Sequence, residues 1–192
     1  MTFFQYLSEN WIEIAGIISS ILGVYFSIQQ KSIAWLWNII ASLLFGLLFF
    51  QIGLYSDAEL QGFFILMAVF GWIKWAKNSE EWIPENSSKK EIAAGLLFTI
   101  CFGLISGFLH QSYSQNVSLP YLDASLTGLS IWGTWLAARK KTENWYVWII
   151  ADTIYVGMYI QKGLIGTSIL YLIFIALAVK GLISWKKKQE ID

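Results

Sequence analysis

The residue with the most chemistry to explain is a carboxylate inside an apolar run, Asp152 in the stretch Trp145–Gln161. Trp145, Trp148, Asp152, Tyr155 and Tyr159 follow one another at spacings of +3, +7, +10 and +14. At about 3.6 residues per turn they fall on one stripe of a helix. A carboxylate at mid-depth in a bilayer costs several kcal/mol unless it pairs or faces water. Asp152 therefore either lines a permeation path or hydrogen-bonds a neighbouring helix, and the first reading is preferred. A carboxylate flanked by aromatic faces suits a flat, cationic aromatic molecule, held by stacking and cation–π attraction with the carboxylate as counter-charge.

Other apolar runs carry related stripes. One is Trp35, Asn38, Ser42, Phe45 and Phe49; another is Asp123, Thr127, Ser130 and Thr134; a third is Gln61, Ala68, Trp72 and Trp75. Asn38, Ser42, Gln61, Thr127 and Ser130 would hydrogen-bond a hydroxylated part of the same ligand. Binding sites of this kind are mostly apolar with a few placed polar groups. Plainer roles compete. Membrane Ser and Thr often bond their own i−4 carbonyl or a neighbouring helix. Trp35, Trp75, Trp145 and Trp185 read first as an interfacial aromatic belt. Trp72 and Trp148 lie one turn deeper, and for them belt and site readings stand level. Asp123 and Glu13 lie near an outer surface, where solvation is enough to explain them.

Little else can do chemistry. The single His110 has no metal-ligand spacing with any Cys or carboxylate. No Gly-rich phosphate loop and no nucleophile–base pair is visible, so neither an enzyme nor a bound cofactor is expected. The formal net charge is zero, which makes nucleic acid an unpromising partner. The one cysteine, Cys101, excludes a disulfide within the chain and reads as a small core residue.

The elements that must position these residues are membrane helices. The chain is 56% hydrophobic and 14% charged, and its apolar runs approach the ~20 residues that cross a ~30 Å hydrocarbon core. The lipid bilayer is thus its solvent. Seven spans are expected, at about Ile12–Ser27, Ala34–Ile52, Leu60–Ala76, Ile92–His110, Leu122–Ala138, Trp145–Gln161 and Gly166–Trp185. The runs are continuous rather than alternating with period two, which argues for helices over strands. The N-terminal Met1–Asn10 lacks a basic region, and no cleavable signal is expected. Numbering the two membrane faces alternately puts eleven Lys and Arg residues on one face and only Lys162 on the other. Short-loop basic residues stay cytoplasmic, so the N-terminus should be outside and the C-terminus inside.

The chain also repeats itself. Trp35–Lys77 laid without gaps on Trp145–Lys187 gives 16 identities in 43 positions, among them Trp35/Trp145, Gln51/Gln161, Gly53/Gly163, Gly71/Gly181 and Trp75/Trp185. An offset of 110 also brings Gly23 onto Gly133 and Ser20 onto Ser130. Such self-similarity signals duplication. The expected fold is an all-α integral membrane protein of two three-helix repeats, residues 1–77 and 111–192. A polar linker (Asn78–Lys90) and a linker helix within 78–110 join them. An even number of crossings separates equivalent helices, so the repeats should be parallel, related by an axis along the membrane normal. A wet, aromatic-walled chamber between them is the expected ligand site.

Several segments resemble the Pnu family of vitamin transporters. They are Phe49-Phe50-Gln51-Ile52-Gly53-Leu54-Tyr55, Leu60-Gln61, Gly71-Trp72-Ile73-Lys74-Trp75, Arg139-Lys140-Lys141 and Glu143-Asn144-Trp145-Tyr146-Val147-Trp148. The resemblance covers nearly the whole chain. It implies a seven-helix fold of SWEET-like 3+1+3 architecture in a bacterial inner membrane, working by facilitated diffusion. It further implies a cytoplasmic kinase that traps the vitamin by phosphorylation, and a homotrimer. Nicotinamide riboside is the first expected cargo and thiamine the alternative. Ala68-Val69-Phe70 stands where such carriers are expected to have an Asn and a Tyr before Gly-Trp, and Asp152 stands where they often have Asn. Two other classes were weighed. A retinal protein would have seven helices and a lysine in the last, but Lys180 lies too near the cytoplasmic end and the duplication is left unexplained. A membrane scaffold without cargo is the other.

Overall fold

The structure, a computed structural model, describes residues 10–51, 55–77, 82–113, 119–161 and 165–191. Gly53, Leu54, Gly163, Leu164, Lys162, the N-terminal residues before Asn10 and the start of the Asn78–Lys90 linker lie outside them. Among the described residues there are seven helices: α1 (Trp11–Ile28), α2 (Ile33–Gln51), α3 (Tyr55–Lys77), α4 (Lys89–Tyr113), α5 (Pro120–Ala138), α6 (Glu143–Gln161) and α7 (Ile165–Ile191). Four of them, α1, α2, α4 and α7, are long and apolar enough to cross a membrane. The other three, α3, α5 and α6, carry the stripes with Gln61, Asp123 and Asp152, while the Asn38–Ser42 stripe lies on α2. Helices α3 and α7 run past the apolar spans because helical hydrogen bonding continues where the side chains turn polar.

The chain divides into two compact units, Met1–Trp82 and Ile83–Asp192. In the first, α2 packs against both α1 and α3. In the second, α6 packs against both α5 and α7, and α4 packs on α5. The duplication extends to single hydrogen bonds. At the end of α1, Gln30 N–H donates to Ser27 O (2.9 Å) and Lys31 N–H to Phe26 O (3.1 Å). At the end of α5, Lys140 N–H donates to Ala137 O (3.0 Å) and Lys141 N–H to Leu136 O (2.9 Å). Both are Schellman caps. In each, the residue after the cap has a left-handed backbone without being glycine, Gln30 at φ 58° and Lys140 at φ 50°.

The tryptophans also repeat, and they correct the belt expectation. Trp35, Trp75, Trp145 and Trp185 are all buried. Trp35 meets Trp75 edge-on at 5.4 Å and 88°, and Trp145 meets Trp185 at 5.3 Å and 85°. Each pair ties the middle helix of its unit to the helix that follows, and such pairs contribute roughly 0.5–1.5 kcal/mol beyond their buried area. Glycine makes room for them. A Cβ on Gly71 would stand 2.5 Å from the Trp35 ring, and one on Gly181 would stand 2.6 Å from the Trp145 ring.

Helix α4 seats on α5 through glycines eight and four residues apart: Gly95 under Trp132, Gly103 against Ser125, Gly107 against Tyr121. Close backbone approach of this kind replaces the missing hydrophobic drive between helices in lipid. Cys101 lies off that stripe and is exposed, not a core residue as expected. The N-terminus of α4 is closed by a capping box, with Ser88 N–H donating to Glu91 Oε2 (2.8 Å) and Glu91 N–H to Ser88 Oγ (3.2 Å).

The connection before α4 folds onto the α5–α6 turn. Glu85 N–H donates to Lys140 O (3.1 Å), Thr142 N–H donates to Glu85 O (3.0 Å), and both Ser87 N–H and Oγ donate to Glu143 Oε2 (2.8 Å each). Lys141 Nζ lies 3.3 Å from Glu85 and 3.6 Å from Glu91, and Arg139 lies 3.1 Å from Glu91. Gln189 at the end of α7 donates to Pro84 O (2.9 Å).

Lys140 sits under this connection, only 3% exposed. Burial, and next the charge of Lys188, push its ammonium down to about 8. Between that value and the ordinary lysine value the unfolded chain binds more protons than the folded one, so this group makes stability rise with pH there. Lys140→Gly removes both the buried charge and the left-handed strain. It should melt higher than the native chain at pH 7, and that gap should narrow as the pH rises to 10. A gap that is constant across a pH series of thermal melts would show that the ammonium contributes nothing.

Candidate functional site

The second unit gathers four of the expected site residues. Asp152 on α6 is buried, 4% exposed. Among the described residues it has no hydrogen-bond or ion-pair partner. One turn on, Tyr155 stacks on Tyr159 at 5.9 Å and 16°. Ser130 on α5 is buried, and its hydroxyl donates to Leu126 O (2.9 Å). The plain role of membrane serines thus holds for Ser130. It also holds for Thr134, whose hydroxyl donates to Ser130 O (2.8 Å).

Sequence reasoning missed Tyr171 on α7. Its ring lies 4.9 Å from Tyr155 and 5.2 Å from Tyr159, and it meets Phe174 edge-on at 5.9 Å. The signal was available, because Tyr171 occupies the position equivalent to Gln61 at the offset of 110. Three tyrosines and an unpartnered carboxylate form a cation-attracting aromatic cluster.

The remaining expected residues are less concentrated. Trp148 is half-buried and covers Gly133, where a Cβ would stand 3.3 Å from its indole. Thr127 is half-buried on α5, one turn before Ser130. In the first unit, Asn38 fills the equivalent slot against Gly23, and Phe45 covers Gly16. Ser42 is buried, and Gln61 packs beside Gly46. Phe45 stacks on Phe49 at 6.1 Å and 21°, the counterpart of Tyr155 on Tyr159. Trp72 departs from the group: it is 36% exposed on α3, off the buried Ala68–Gly71–Trp75 stripe. The duplicated scaffold therefore carries amide, hydroxyl and phenyl groups in one copy, and a carboxylate and phenols in the other.

A duplicated helical triplet with polar stripes on its less apolar helices, and an unpaired carboxylate buried among aromatic rings, is the build of a multi-pass membrane transporter. Residues 10–187 match the family model described as Nicotinamide mononucleotide transporter, and the chain belongs to that family. It is a family of carriers, not of enzymes. The chain is 26% identical over 206 residues to the nicotinamide riboside transporter PnuC of Escherichia coli (strain K12), covering 92% of this chain and 85% of that protein. It is 22% identical over 192 residues to the riboflavin/roseoflavin transporter RibM of Streptomyces davaonensis, covering 95% and 87%. A crystal structure of the vitamin B3 transporter PnuC superposes with a TM-score of 0.74 at 18% identity, covering 96% of this chain and 84% of that one. The likeness in fold thus runs through the whole chain. The retinal-protein and scaffold readings lose their ground here.

Proposed function

We propose that the protein is a uniporter that takes up nicotinamide riboside by facilitated diffusion. The observation that carries this reading is the Asp152 carboxylate, buried and without a partner among the described residues, beside three tyrosine rings. Nicotinamide riboside brings a permanent positive charge on a flat aromatic ring. It would supply the missing counter-charge and stack on a phenol. Asp152, Tyr155, Tyr159, Ser130, Thr127 and Trp148 are proposed to contact cargo in the second unit. Asn38, Ser42, Gln61 and Trp72 are the corresponding candidates in the first. The ribose carries hydroxyls of the kind that amides and serines recognise.

Thiamine is the second reading. Ala68-Val69-Phe70 leaves that turn of α3 without an amide with which to read a carboxamide, and thiamine is also an aromatic cation. A flavin, the cargo named for RibM, is uncharged and gains nothing from Asp152. Excess basic residues on one face support an outside N-terminus and a cytoplasmic C-terminus in a bacterial inner membrane. Residues 1–77 and 111–192 are read as parallel SWEET-like repeats around a linker, in a homotrimer. A cytoplasmic kinase is proposed to trap the vitamin.

The test is transport into proteoliposomes. Labelled nicotinamide riboside should equilibrate across the membrane without ATP or an ion gradient, and not beyond equilibrium. Thiamine and riboflavin run alongside as competitors. Uptake above equilibrium under a sodium or proton gradient would replace the uniporter by a coupled carrier. Competition by riboflavin alone would remove the cationic cargo.

A further inference from the structure

The role of Tyr171 follows from comparing the two copies of the same scaffold. In the first unit Phe45 and Phe49 stack at 6.1 Å with 21° between planes. In the second, Tyr155 and Tyr159 stack at 5.9 Å with 16°. The geometry of the pair is the same, yet the residue opposite differs: Gln61 in the first copy, Tyr171 in the second. A ring at that position is therefore not needed to build the stacked pair. What it adds is a third aromatic ring, tilted 45° and 40° to the other two. It arrives only in the copy where Ser42 is replaced by Asp152.

We propose that Tyr171 is a selectivity residue for cargo, adding a third aromatic face to the Tyr155–Tyr159 stack on the helix of Asp152 so that the second unit favours a permanent cation over a neutral molecule of the same shape. The inference rests on reading this cluster as a cargo site. Its physical basis is that an aromatic face attracts a cation only when held at the right distance and tilt, and that several faces with one carboxylate select for charge. Losing the third ring removes one of the faces that attract a cation and weakens the discrimination, while the stacked pair and its backbone scaffold are ones the protein already builds with glutamine.

The experiment uses the full chain in detergent or proteoliposomes. It compares binding of nicotinamide riboside with that of its reduced, uncharged dihydropyridine form. Tyr171→Gln, which transplants the residue of the other copy, should keep its melting temperature near that of the native chain. It should lower the preference for the cation by roughly tenfold, the loss falling on the charged ligand. Tyr171→Phe keeps the ring and should retain most of that preference. An unchanged preference in Tyr171→Gln, with Asp152→Asn collapsing it, overturns the proposal and leaves the cargo site standing. Unchanged preference in both variants overturns both. A Tyr171→Gln chain that does not fold also overturns the proposal, because the third ring would then be structural.

Discussion

Asp152→Asn lowers the affinity for nicotinamide riboside by about 10- to 100-fold, and leaves affinity for the neutral dihydropyridine form within about threefold. The size follows from the setting. Two unit charges about 4 Å apart at an effective dielectric constant near 20 attract by about 4 kcal/mol, and part of that is lost to stripping water from the cargo. Asparagine keeps the shape and the hydrogen-bonding capacity of the side chain and removes only the charge. Because Asp152 is 4% exposed, water screens little of the difference. Titration calorimetry or a shift in melting temperature with each ligand reads the effect, since binding to the folded state alone stabilises it. Equal losses for the charged and neutral forms would make Asp152 a packing residue.

Gly181→Ala destabilises the protein by about 1–3 kcal/mol, the usual result of overpacking a filled core. The added methyl would lie 2.6 Å from Trp145 ring atoms. That ring cannot give way, because it is buried and held edge-on by Trp185 at 5.3 Å. Gly157→Ala on α6 is the control. Nothing lies within 4 Å of its would-be Cβ, and alanine is the better helix former. Thermal melts of the two variants should move in opposite directions, or Gly157→Ala should not move at all. A Gly181→Ala chain as stable as the native one would mean that the tryptophan pair is looser than its geometry.

The seven helices, the duplication and the stripe through Asp152 were all legible in the sequence, for one reason. Lipid forces each span to satisfy its own backbone and favours long apolar runs, so length and hydropathy mark the most apolar helices directly. A copied segment keeps its register, so Trp35 on Trp145 or Gly71 on Gly181 needed no coordinates. That the chain is a membrane transporter was legible through the segments that resemble the family.

What a stripe cannot tell is which neighbour it meets. The four terminal tryptophans looked like belt residues because indoles favour interfaces; only the packing showed them locked in pairs over glycine. Cys101 looked buried because it is apolar and mid-span, yet the glycines of α4 turn the opposite face towards α5. Tyr171 was unremarkable in a run of aliphatic and aromatic residues, and became part of the site because α7 lies against α6. Side-chain contacts between helices depend on rotation about each axis and on close approach, and a linear pattern carries neither. Sequence alone determined a duplicated helical membrane carrier with a charged stripe. Tertiary structure decided which rings stand beside that charge, because only packing brings residues from different helices within reach of one another.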